Sequence, residues 1–405
     1  MISKSFEGKK ILITGGALGD IPIIKSAKDL GLFVITSGDN HSDIGHALSD
    51  KYIESDYVDS DSIESICCDE SIDYLFSSCH DLAYIAASVV AEKLNYAGFD
   101  SSQTAKVIHN KHLLRTHLKN IGVATPRFST CNSQDQAMQA ANELTFPVIV
   151  KPVDMTGGNG VSICEDKSYL QRAFERAFSV SRKNLVIIEE FLRGTYHCLS
   201  AFISQGEIIH RFVDDEYYIP GTFRVSGTSY PTTVNEKVID ELSLDLKALM
   251  QSLSLVDGLL HVQFISTSTG PVIIEIMRRT PGDLYPNFVE YAIGINHAHN
   301  ILKPYLSDPY SSTDFIERHE GQGQKYTYLR YMLMSKSRGT ISNYEISKIE
   351  GLKEIFYIRQ IGSFVDNPRK DTCAIIFLES DNSKKPPFFL YEHVKNSSKV
   401  FLDVI

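Results

Sequence analysis

The chain lacks any excess of basic residues: 40 Lys and Arg stand against 50 Asp and Glu, a formal net charge of −10. Affinity for a nucleic-acid backbone is built on clustered Lys and Arg, so no nucleic-acid partner is expected, though a local basic pocket for one nucleotide is allowed. Cysteine pairs at metal-ligand spacing are missing. The seven cysteines include no CxxC, and Cys67 and Cys68 are adjacent, so reduced and mostly buried thiols are expected. A long apolar run is absent as well. Residues 82–91 come nearest, and they are too few, and too closely flanked by Asp81 and Glu92, to span a bilayer. The opening MISKSFEGKKILITGG enters a strand pattern directly, without the apolar core and cleavage site of a signal peptide, which makes the cytoplasm the expected location. GxGxxG, GxxxxGK[ST] and HExxH do not occur, so the chain offers no dinucleotide fingerprint, P-loop or zincin motif.

What is present begins with alternation. KILIT (10–14) is a short apolar run that ends in Gly15-Gly16 and leads into helical spacing over 21–30; runs at 32–36 and 73–77 repeat the pattern. Strands alternating with helices predict a parallel sheet covered on both faces, the α/β class, with loops at the strands' carboxyl ends lining a crevice. Near residue 105 the character changes to a helix containing Lys111, a Gly122 stop and Pro126, a plausible junction. His109 and His112 are three apart without a neighbouring acidic partner, and they predict no metal site; the same holds for His297 and His299.

FPVIVK (146–151) reads as a buried strand ending in Lys151, which needs solvent or an anionic partner. Gly157, Gly158, Asn159 and Gly160 follow. Such a loop either turns a hairpin or presents backbone N–H groups to phosphate oxygens. LVIIE (185–189) is another strand, continued by Glu190, Phe191 and Leu192; an extended segment here could pair with an adenine edge, or simply end in two solvated carboxylates. Residues 214–233 read as irregular, 240–253 as a helix and 288–306 as helical, and short strands follow from about 325.

The stretch 271–283, PVIIEIMRRTPGD, carries the chemistry. In an extended strand Glu275, Met277 and Arg279 share one face, while Ile274, Ile276 and Arg278 share the other. If the loop after 257–266 runs through Pro271, its odd length sets Gln263 opposite Glu275. Two oxygen ligands then converge, as a hard divalent cation such as Mg2+ requires. The plain alternative is an edge hairpin with a surface ion pair.

In order and spacing, the helix with Lys111, VIVKP with Lys151, TGGNGV, IIEEFLRG and HVQF followed by IIEIMRR resemble the ATP-grasp superfamily, of the carboxylate-amine ligase type, over most of the chain. The resemblance implies a pre-ATP-grasp domain over 1–105, an ATP-grasp domain over 106–310 (small lobe about 120–192, large lobe about 193–310) and a C-terminal subdomain over 311–405. It implies that Lys111, Lys151 and residues 157–160 contact ATP phosphates, that Glu189, Glu190, Phe191 and Leu192 form the adenine hinge, and that His197 takes the ribose position. Gln263 and Glu275 match the metal ligands, for Mg2+ or alternatively Mn2+. Arg279 matches the residue that stabilises the substrate carboxylate or the anionic intermediate, and Lys151 stands with it as catalytic. Gly282, and Arg224 in the irregular stretch, are the further substrate candidates. Met277 departs from the family's Asn, and a thioether is too soft to replace that ligand; Arg278 replaces a frequent proline and is expected on the surface.

The implied activity is ATP-dependent joining of a small-molecule carboxylate to an amine through an acyl phosphate, releasing ADP and phosphate. Carbamoyl-phosphate or carboxylation chemistry ranks behind it, because an AMKM-type carrier motif is absent and the chain is short for a duplicated synthase. A degenerate, regulatory nucleotide binder is the remaining alternative. Small-molecule carboxylate and amine partners are expected, with no membrane, and a homodimer is the assembly common among similar proteins.

Overall fold

In the computed structural model the described residues are 6–155, 158–219, 222–317, 325–346, 349, 351–368, 371–381 and 387–403; Gly157, one of the expected phosphate contacts, lies outside them. Four short strands, β1 (Lys10–Thr14), β2 (Phe33–Gly38), β3 (Lys51–Glu54) and β4 (Tyr74–Ser77), pair in parallel in the order β3-β2-β1-β4. The middle of β1 is apolar because helices cover both faces: Ile11, Leu12 and Ile13 are fully buried. β3 went unread in the sequence, since KYIE at an edge buries neither end.

A second sheet, in the order β5-β8-β6-β7, is antiparallel: β5 (Phe128–Cys131), β6 (Val148–Pro152), β7 (Ser162–Cys164) and β8 (Val186–Glu190). The helix Leu170–Val180 covers it with Leu170, Ala173, Phe174 and Ala177, the i, i+3, i+4, i+7 stripe that faces a core.

The remaining strands are β9 (Thr195–Ser204), β10 (Glu207–Tyr218), β11 (Val225–Tyr230), β12 (Gly258–Thr267), β13 (Gly270–Met277), β14 (Tyr326–Met334), β15 (Gly339–Ile346), β16 (Leu352–Tyr357), β17 (Phe364–Val365), β18 (Thr372–Asp381) and β19 (Ser398–Asp403). Eight of them make one antiparallel sheet, β13-β12-β9-β10-β11-β14-β18-β16, so three strands from the last eighty residues extend the sheet that carries the hairpin; β17-β15-β19 form a separate small one. The capped helix Glu236–Leu253 lies under β9 and β12 with Leu242, Leu246 and Leu249 fully buried. No helix among the described residues is long and apolar enough to cross a membrane.

Two regions depart from the sequence reading. Residues 214–233 are largely strand, because β10 runs to Tyr218 and β11 occupies Val225–Tyr230. Their alternation is hidden because the face that would ordinarily be apolar lines a polar chamber. The helical region at 288–306 is two helices, Tyr285–Ile293 and His297–Leu302, parted at Gly294, whose φ of +81° is a left-handed conformation that glycine adopts without strain.

Candidate active site

The hairpin β12–β13 sets Gln263 opposite Glu275. The loop does not supply the odd count: Thr267 pairs with Gly270 and Ser266 with Pro271, which is a two-residue connection. The extra residue enters further along, between the pairs Phe264–Ile273 and Gln263–Glu275, where Ile274 forms a β-bulge. Without that insertion parity would turn Glu275 to the opposite face from Gln263.

Glu275, Met277 and Arg279 then line one chamber together, as the alternation predicts. Arg278 points the other way, but not to solvent. It is 3% exposed, with Nε donating to Asp100 Oδ2 at 2.7 Å and Nη2 to the Val256 carbonyl at 2.7 Å. The expected surface arginine is a buried tie between the hairpin and the loop after the N-terminal sheet's last helix. Its neighbour Arg279 donates through Nε to Asp81 Oδ1 at 2.6 Å, and the same oxygen meets His109 Nδ1 at 3.0 Å. His109 therefore has an acidic partner, brought from 28 residues earlier by the fold. Burial opposes charge on Arg279, but Asp81 outweighs it and holds the guanidinium more firmly protonated than usual.

A cleft between the second sheet and the large sheet collects most of the other candidates. Lys111, Lys151, Gly158, Glu189, Glu190, Phe191, Leu192, Gln263 and Glu275 all line it. Lys111 begins the helix Lys111–Asn120, and its Nζ lies 3.0 Å from the Met155 carbonyl and 3.4 Å from Glu275 Oε1. One helical turn later Arg115, fully buried, donates Nε to Glu189 Oε1 at 2.9 Å, and Lys151 Nζ reaches Glu189 Oε2 at 2.6 Å. Burial pushes the Glu189 carboxyl up, yet Arg115 and Lys151 prevail and bring it down to about 2. Burial lowers Lys151 from the ordinary lysine range, against the pull of Glu189. Glu189 thus holds the lysine head in place as an ionised counter-charge.

Glu190 also lines the cleft, but its Oε1 accepts from Arg127 at 3.0 Å and from the Thr145 N–H at 2.8 Å. Gly158 and Gly160 have φ of +74° and +75°; a Cβ on Gly160 would lie 2.6 Å from Val180 Cγ2. Across the cleft Gly158 approaches the Phe223 backbone, so loops from the two sheets meet over the lysines. Asn159 and Gly160 are not among the lining residues, and neither is His197, which is buried with Nδ1 2.8 Å from Asp215 Oδ1 and Nε2 2.6 Å from Thr195 Oγ1. His197 lies on the face of β9 opposite Cys198, the partner of Gln263.

Beyond Gln263 and Glu275 the cleft continues into the chamber of Arg279, Gly282 and Arg224, since Phe223, Gln263 and Glu275 line both. Glu216, unread in the sequence, projects there and accepts from the Gln263 amide at 2.9 Å and the Tyr218 hydroxyl at 2.8 Å; burial raises its pKa above the usual carboxylate range. With its NH2 donated to Glu216, Gln263 keeps its amide oxygen. Among the described residues no group of three or more His, Cys, Asp or Glu converges as a metal site, but that oxygen and the carboxylate of Glu275, its partner across the hairpin, are of the ligand type a hard divalent cation takes. Met277 sits beside it, 6% exposed, and adds no oxygen. Asp283, the last residue of the 271–283 stretch, and Arg330, unread in the sequence, close the chamber as an ion pair. Of these, Arg115 carried a signal, its i+4 spacing from Lys111; Arg330 carried none, since its role depends on β14 joining the large sheet.

A two-lobed cleft with paired lysines on one side and an oxygen-bearing hairpin on the other, preceded by a parallel sheet, is the arrangement that the resemblance to the ATP-grasp superfamily implies. Residues 110–209 match the family model of the carbamoyl-phosphate synthase L chain, ATP binding domain. Among curated relatives, dapdiamide A synthase of Enterobacter agglomerans is 27% identical over 276 residues, covering 66% of this chain and 64% of that protein. The carbamoyl phosphate synthase large chain of Thermotoga neapolitana is 27% identical over 222 residues, 52% of this chain and 19% of that one. The chain thus spans less than two thirds of the length of either. Among solved structures, the L-amino acid ligase of Bacillus licheniformis superposes with a TM-score of 0.81 at 17% identity, over 98% of this chain and 100% of that one. Phosphoribosylglycinamide synthetase of Anaerococcus prevotii gives 0.75 at 20% identity, over 98% and 100%. At such identities these two likenesses establish the fold.

Proposed function

We propose that the protein is an ATP-dependent ligase that activates a small-molecule carboxylate as an acyl phosphate and couples it to an amine, with ADP and phosphate as products. The observation that carries this reading is the continuity of the lysine cleft with the arginine chamber across Gln263 and Glu275. ATP lies in the cleft with adenine against the hinge Glu189 to Leu192 and its phosphates toward Lys111 and Lys151. The carboxylate lies in the chamber. We assign the pre-ATP-grasp domain to 1–105, the ATP-grasp domain to 106–310 and the C-terminal subdomain to 311–405.

Attack of a carboxylate on a phosphate is anion on anion, so the site must neutralise charge and align the groups. Lys111 and Lys151 neutralise the phosphates, with Lys151 fixed by Glu189 and Arg115 behind it. Mg2+, or Mn2+ in its place, would be held by Gln263 and Glu275 and would supply further neutralisation of phosphate charge. The amine then displaces phosphate through a tetrahedral oxyanion, which Arg279 is placed to stabilise, itself oriented by Asp81. The meeting of the Gly158 and Phe223 loops limits access of water to the acyl phosphate. A relative named dapdiamide A synthase and a structural neighbour named an L-amino acid ligase are in keeping with a ligase of small molecules and support the reading. The biotin carboxylase domain of Hydrogenobacter thermophilus was solved as a dimer; we carry over a homodimer, to be read by light scattering.

The test is incubation with Mg-ATP and a panel of carboxylates and amino acids. ADP release that depends on both substrates is expected. AMP release would contradict the acyl-phosphate route, and binding of ATP without any turnover would favour a nucleotide sensor.

A further inference from the structure

We propose that Arg115 is a positioning residue that holds Glu275, the candidate metal ligand, in register with the phosphate lysines Lys111 and Lys151. This inference rests on the part of the ligase reading that places a metal–nucleotide complex in the cleft, and not on which carboxylate or amine is joined.

The β-bulge leaves Ile274 opposite no residue of β12, and its carbonyl accepts from Arg115 Nη2 at 2.6 Å. The next residue is Glu275. Its Oε1 lies 3.4 Å from Lys111 Nζ, and Lys111 stands one turn before Arg115 on the helix Lys111–Asn120. These contacts close a ring that runs from Arg115 through Ile274, Glu275 and Lys111 and back along one turn of helix. A second arm leaves Arg115 through Nε, which is 2.9 Å from Glu189 Oε1, and Glu189 Oε2 holds Lys151 Nζ at 2.6 Å. One guanidinium group thus reaches both walls of the cleft, β8 in the second sheet and β13 in the large one.

Arg115 is fully buried and lies outside the lining of the cleft, so it acts through the residues it holds. Burying a guanidinium, a carboxylate and an ammonium together costs desolvation that apolar side chains of similar volume would avoid, so stability alone does not call for this charge. Position does. The planar fork fixes Nε and Nη2 relative to each other, and with them the separation of a Glu189 oxygen from the Ile274 carbonyl. A one-residue slip of β13 would turn Glu275 to the other face, and a bond to the carbonyl of the bulge itself anchors the register at that point. A lysine would bring the same charge on a single head, able to face Glu189 but not to span both acceptors in this geometry.

The test titrates full-length protein with a non-hydrolysable ATP analogue in a calorimeter, once in EDTA and once in Mg2+; the ratio of the two affinities is the gain due to the metal. The unaltered protein is expected to show a gain of at least about tenfold. Arg115→Lys should cut that gain to within about threefold while leaving the metal-free affinity within about twofold. Arg115→Gln, which also loses the fork, is the second variant and should show the same loss of gain. Glu189→Gln keeps an oxygen for Arg115 Nε and leaves the Ile274 bond in place, so its gain should stay within about twofold of the unaltered value. A merely structural arginine would lower both affinities together, alongside the urea midpoint. A gain near one in the unaltered protein, a gain that both Arg115 variants retain, or metal-free and metal-bound affinities lowered by the same factor overturns the proposal. Substrate-dependent ADP release is followed in parallel. A gain that depends on Arg115 with no ADP release from any pair keeps the positioning role and sinks the ligase reading, whereas ADP release with a gain indifferent to Arg115 does the reverse.

Discussion

At the scale of single residues the site is a set of charges, each held by another. Lys151 is held by Glu189, Glu189 by Arg115, Arg279 by Asp81, and the Gln263 amide by Glu216. Such pairing orients the heads that face the cleft, and at Glu189 and Arg279 it outweighs the burial that opposes their charge. Glu275 is different: it is half-buried, and among the described residues the ion pair it makes is the long one with Lys111, at 3.4 Å, which leaves its carboxylate available to a metal ion. Glu275→Ala should lower ADP formation at least about a hundredfold, measured in a coupled assay at saturating Mg-ATP. Met277→Asn should leave the rate intact or raise it, because it restores an oxygen beside Glu275; an unaffected Glu275 variant would sink the assignment. Glu275 and Arg279 were legible because period-two alternation depends on local geometry alone. Glu216 was not, since its neighbours Asp214 and Tyr218 gave that face no apolar signature.

At the scale of elements two features matter. The Ile274 bulge decides which face Glu275 occupies, and no turn rule announces it: Ile273, Ile274 and Ile276 are equally good strand residues, and the bulge is fixed by pairing with β12. The glycine loop is the second. Gly160 combines a left-handed φ with a 2.6 Å approach to Val180, so Gly160→Ala carries both backbone strain and a clash. We expect it to destabilise the protein by about 1–2 kcal/mol and to weaken ATP binding, read as a smaller rise in Tm on adding Mg-ATP. The same change at Gly158, whose nearest neighbour stands at 3.4 Å, should cost mainly the strain. The glycines were conspicuous in the sequence. Which of them closes on the cleft was not.

At the scale of the molecule the consecutive arginines Arg278 and Arg279 join the hairpin to the N-terminal domain, through Asp100 and Asp81. Asp100 also accepts from the Tyr84 hydroxyl at 2.9 Å and the Val256 N–H at 3.0 Å, so removing Arg278 leaves a buried carboxylate short of its counter-charge. Arg278→Met should cost about 3–5 kcal/mol in urea unfolding, more than loss of any surface pair such as Lys93–Glu64. Acid should act in two stages. His297, buried and pushed down to about 3, stays neutral in the fold, so stability falls as pH drops below the ordinary histidine range, where the unfolded chain takes up a proton that the native one refuses. Glu189, held at about 2, adds stability above the ordinary carboxylate pKa that is lost as pH falls from there toward 2. Glu189→Gln should reduce the slope of that lower limb, to which Asp81 and Asp215 also contribute, while leaving the histidine limb, shared by His261 and His297, unchanged, as followed by unfolding at a series of pH values.

The sequence by itself determined the parallel-sheet opening, the two lysines, the glycine loop and the face shared by Glu275 and Arg279, because each follows from short-range periodicity or from residues a few positions apart. The tertiary structure alone decided that Arg278 is buried, that His109 meets Asp81, and that Arg330 reaches the chamber and pairs with Asp283. These contacts join residues from 28 to more than a hundred positions apart, and nothing in a local pattern encodes which distant strand will lie alongside. Their energies come from burial and charge pairing that exist only once the eight-stranded sheet has assembled.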